Sequence, residues 1–77
     1  MSKHPTIREV GAALFGSLWQ SELARALAMS PRHMRRLVAG DSEITDDTIK
    51  GMAAVARARL KEVERITTRL QDWEEKI

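Results

Sequence analysis

The stretch that decides the reading runs from Gln20 to Gly40, QSELARALAMSPRHMRRLVAG. Leu23, Ala24 and Leu27 recur at helical spacing, which predicts a short helix over residues 20–27 with those side chains turned inward. Ala28 and Met29 make a turn. Ser30 is suited to cap the next helix, because its hydroxyl can accept one of the free N–H groups of the first turn. Pro31 follows at the first helical position, where a missing N–H is harmless. In this second helix Arg32, Arg35 and Arg36 share one face, and Met34, Leu37 and Val38 share the opposite one. Gly40 ends it, since glycine adopts the left-handed C-terminal conformation without steric penalty.

Working outward, Met1 to Pro5 reads as a lead-in to a first helix over residues 6–15. Thr6 and Glu9 have the spacing of a capping box, Ile7, Val10 and Leu14 form its apolar stripe, and Gly16 stops it. Ser17 is expected to cap the next element, with Leu18 and Trp19 supplying apolar bulk to the core. On the other side, residues 40–43 form a polar loop. Ile44 and Ile49 then flank Thr45 in the pattern of a hydrophobic staple around an N-cap, and Asp46 and Asp47 favour the positive end of a helix. One long helix is predicted from about residue 46 to about residue 75. Gly51 is its only weak point, at about 1 kcal/mol relative to alanine.

That last helix carries a heptad pattern. Ile49, Ala56, Val63, Leu70 and Ile77 recur every seventh residue, and Met52, Ile66 and Trp73 occupy the complementary position, with Arg59 as the exception. Its first turns are expected to pack on the preceding helices. Val63, Ile66, Leu70, Trp73 and Ile77 then need another cover, either the first helix of the same chain or, more economically, a second copy. The expected fold class is all-α: a compact domain of three short helices plus a long C-terminal helix used for dimerisation. The division is 1–56 for the domain and 57–77 for the arm.

The bulk numbers set limits. A chain of 77 residues allows one domain with a small core. It contains no cysteine, which excludes a disulfide framework and a thiolate zinc site and fits a cytoplasmic protein. No apolar run approaches the roughly 20 residues of a membrane span, and no signal-peptide core is expected. The formal net charge is only +2, so placement of charge matters more than its sum. Four arginines and no acid lie between Arg25 and Val38, whereas residues 45–77 carry seven basic and seven acidic side chains. The basic excess is local.

Residues 20–40 resemble the helix-turn-helix of small Cro/C1-type, XRE-like repressors. Gln20 opens the first helix, Leu23-Ala24 and Leu27 precede the turn, Met29-Ser30 follow it, and apolar Met34 and Leu37 hold the second helix from beneath. A departure is Ala28, where that family usually has glycine. Either alanine takes the left-handed conformation there, at about 1–2 kcal/mol, or the turn differs slightly.

The resemblance implies double-stranded DNA as the partner, with the second helix in the major groove. Carried over by position, Arg32, His33, Arg35 and Arg36 become the candidate base readers. Gln20, Ser21, Arg25 and Ser30 become the candidate phosphate contacts. His33 lies at the edge of the arginine face and serves equally well as a half-exposed packing residue. The implied protein is a homodimeric repressor on an inverted repeat, of the kind found as phage Cro proteins, autoregulators of mobile-element or anti-CRISPR operons, and antitoxins. It would be cytoplasmic and associated with the nucleoid. The alternative is an interaction module, or an antitoxin, whose last helix binds a different protein.

Enzyme chemistry finds no foothold: there is no phosphate loop, no nucleophile beside a base and no ligand cluster, and His4 and His33 lack metal-ligand spacing. No cofactor, metal or small-molecule effector is expected. Trp19 is assigned to the core and Trp73 to the helix interface rather than to base stacking.

Overall fold

A computed structural model describes residues 7–77, and every regular element in it is helical. The order is α1 (Ile7–Phe15), a single 3₁₀ turn (Gly16–Leu18), α2 (Trp19–Ala26), α3 (Pro31–Ala39) and α4 (Asp46–Glu74). The cap expected from Thr6, the lead-in of residues 1–5 and His4 lie outside the described residues.

The core is built by Ile7, Trp19, Leu23, Ala24, Met34, Leu37 and Met52, with Val10, Phe15, Leu27, Met29, Val38, Ile44 and Ile49 packed around it. Leu23 and Met34 have no exposed surface and mark its centre, where α2 and α3 meet. Gly11 brings α1 against this centre. A Cβ at that position would stand 2.6 Å from Cδ2 of Trp19 and closer still to Cε3, so the indole lies flat on the α1 backbone and only glycine leaves room for it.

The link between α1 and α2 departs from expectation. Gly16 takes the left-handed conformation at φ 76°, and the 3₁₀ turn then runs directly into α2, with the Trp19 N–H bonded to the Gly16 carbonyl. No gap opens for a Ser17 cap, and no side chain caps α2. Within this tight turn only Trp19 faces inward; Leu18, expected in the core, is 77% exposed.

Thr45 caps α4, accepting the Thr48 N–H at 3.2 Å, and Ile44 and Ile49 pack on the core to either side as a staple. The helix continues through Gly51 without a break. A Cβ there would come to 3.0 Å from Cδ2 of Leu27, so the glycine serves a close approach of the end of α2. Its 29 residues extend roughly 44 Å at 1.5 Å each, which accounts for most of the molecule's 52 Å long dimension. Burial stops at Ala56, and every residue from Arg57 onward is exposed. The apolar heptad positions beyond that point, Val63, Ile66, Leu70, Trp73 and Ile77, are therefore not buried against α1.

Candidate nucleic-acid interface

The turn between α2 and α3 sets the angle at which α3 is presented. The Met29 N–H bonds to the Ala24 carbonyl at 2.8 Å and the Ala28 N–H to the Arg25 carbonyl at 3.1 Å. This pair of bonds is a Schellman closure, and it requires a left-handed residue between helix and turn. Ala28 supplies it at φ 54°, the only non-glycine residue with positive φ among those described. The same closure recurs at the end of α3, where Asp41 bonds to Arg36 at 2.9 Å and Gly40 to Leu37 at 3.2 Å, with Gly40 at φ 83°. Met29 meanwhile folds back onto the core and anchors the turn.

Ser30 caps α3, its hydroxyl accepting the His33 N–H at 3.1 Å, and Pro31 sits at the first helical position. Met34 and Leu37 are buried and Val38 is half-buried, so the inner face is locked. Arg32, His33, Arg35 and Arg36 are all exposed, which places His33 with the arginines rather than with the packing face. None of the three arginine side chains makes an ion pair or hydrogen bond with a described residue. A binding partner therefore need not displace any described residue from them.

The remaining candidates divide. Gln20 and Ser21, in the first turn of α2, line a shallow notch of about 140 Å³ together with Ala24, Pro31, Met34 and Arg35. The fold thus brings the first turn of α2 beside the arginine face. Ser30 is exposed at the start of α3, but its hydroxyl is already engaged in the cap. Arg25 is paired with Glu22 at 3.1 Å, one turn back on α2. That acid falls just outside the acid-free stretch, so the sequence count overstates the free charge by one arginine. Both partners are largely exposed, and such pairs are worth about 0–1 kcal/mol, so a phosphate could compete for Arg25.

Arg59, the exception in the heptad pattern, has a role that sequence reasoning missed. It donates a hydrogen bond to the Leu14 carbonyl at 3.1 Å, near the C-terminal end of α1, and its guanidinium lies over the Phe15 ring, 5.1 Å from the centroid. A lone polar residue at a seam position was the available signal. On the arm beyond it, Leu60, Val63, Ile66, Leu70, Trp73 and Ile77 are between 45% and 105% exposed.

Among the described residues there is no cluster of metal-ligating side chains and no helix long and apolar enough to cross a membrane. Searches against family models, curated proteins and solved structures find no significant match to the chain.

Proposed function

We propose that this chain is a sequence-specific reader of double-stranded DNA that acts as a homodimeric transcriptional repressor. The observation that carries the reading is the exposed set of Arg32, Arg35 and Arg36, without ion-pair partners among the described residues, on a helix held from beneath by buried Met34 and Leu37. An arginine fork can donate two hydrogen bonds to O6 and N7 of guanine, worth about 1–3 kcal/mol of discrimination per contact. Arg32 and Arg35 read bases and Arg36 is shared between bases and phosphate. Gln20, Ser21, Arg25 and Ser30 fix the register against the backbone. Occupying a promoter is the simplest mode of action.

One such helix reads few base pairs, so two copies are needed for useful specificity. The exposed stripe from Val63 to Ile77 supports pairing. About half of Val63, Ile66, Leu70 and Trp73 and all of Ile77 is left to bury, so each contributes roughly 1 kcal/mol or somewhat more, or roughly 10 kcal/mol gross for a pair of chains. Association costs about 4–15 kcal/mol, so the dimer is weak alone and is reinforced when both readers engage DNA. The test is Arg32→Ala together with Arg35→Ala. Operator binding is expected to be lost while the sedimentation behaviour stays that of the parent; unchanged affinity would overturn the assignment.

A further inference from the structure

We propose that the exposed stripe of α4 pairs antiparallel with the same stripe of a second copy. The register sets Val63 against Trp73, and Ile66 against Leu70, of that copy. The proposal builds on the reading that two copies act together, but it concerns protein pairing alone.

Three observations favour it. The first is volume. The seam positions from Val63 to Trp73 run small, medium, medium, large, and an antiparallel pairing matches the small end to the large end. A parallel pairing would place Trp73 against Trp73 in one layer and Val63 against Val63 in another, which gives uneven layers where close packing is needed. The second is coverage of the domain. In this register Ile77 arrives level with Arg59 and Leu60 of the second copy. That is the corner where Arg59 meets Leu14 and Phe15, and Leu18 lies exposed in the turn that follows Phe15. Leu60, exposed on a single copy, then has an apolar neighbour. The third is spacing. The two Ala56 residues, where burial in each domain ends, would be roughly 36 Å apart along the arms. This is on the scale of the one-turn separation, about 34 Å, that paired readers need on B-form DNA.

Charges divide between the two orientations. Antiparallel arms bring Glu62 to Lys76 of the second copy on each side of the axis, but also bring the two Arg69 side chains toward each other. Parallel arms would match Arg69 with Glu74. Arg69 already lies over its own Trp73 ring, 6.0 Å from the centroid, and Glu62 is bonded to Arg65 at 2.9 Å. All these groups sit at an exposed rim, where ion pairs contribute little, so the filling of the seam decides.

The absence of cysteine makes the test direct. Ile66→Cys and Leu70→Cys are prepared separately, mixed, and oxidised without DNA, with Leu70→Cys alone as the comparison. The expected result is a shift of the mixture to twice the chain mass through a mixed disulfide, with loss of that band in Leu70→Cys alone. Cross-linking of Leu70→Cys to itself would establish a parallel arrangement and overturn the proposal. So would the lack of a mixed disulfide, whether the reduced variants sediment as monomers or as dimers. Because no DNA is present, failure here leaves the arginine assignment standing, and failure of the arginine test leaves this one standing.

Discussion

Ala28 is held in a conformation that suits it poorly. Two hydrogen bonds close the end of α2 around it, and no L-residue with a Cβ enters that region without steric cost. Ala28→Gly removes a penalty of about 1–2 kcal/mol but loosens the unfolded chain, so a net gain of about 1 kcal/mol is expected. Thermal unfolding should shift upward by about 4–8 °C, and an unchanged midpoint would contradict the strain argued here. Gly11 is the opposite case. In Gly11→Ala the new methyl enters the Trp19 ring, and over-packing of this kind costs about 1–3 kcal/mol, measurable by chemical denaturation. The arginines differ from both, because no described residue bonds to their guanidinium groups. Their substitution is expected to change DNA affinity and to leave stability nearly untouched.

At the scale of elements, the sequence carried most of the architecture and much less of the joints. Periodicity located the four α-helices, and caps at Ser30 and Thr45 fell where their hydroxyls predicted. The joint after α1 was not legible, because whether Ser17 caps a helix depends on whether the chain pauses there. Gly16 allowed a 3₁₀ turn that did not pause and left Leu18 outside. Arg59 stood out as a lone polar seam residue, but its partner was not legible: that carbonyl lies 45 residues away, a contact that no local pattern encodes. The arginine face of α3 was legible because a short, capped helix fixes the direction of each side chain. The Glu22 pairing of Arg25 was missed by counting charges in a window rather than on a helix surface. For α4, Val63→Asp with Leu70→Asp should give a monomer with weakened operator binding and an unaltered domain. A dimer of normal strength by sedimentation would place the interface elsewhere.

The whole molecule is a small domain with a long exposed arm, and each part needs the other for the proposed task. On the proposed reading the domain offers DNA only a few side chains, too few to select a site alone. The arm has an apolar stripe that no other described residue buries. Pairing through the arm, as proposed, would double the reading surface and impose two-fold symmetry on the preferred site. Selection of bound sites from a random duplex library tests this most directly, because it assumes neither the operator nor the orientation of the arms. The expected result is enrichment of an inverted repeat whose half-sites contain guanine and are separated by about one helical turn. A library that emerges without any enriched sequence would contradict it.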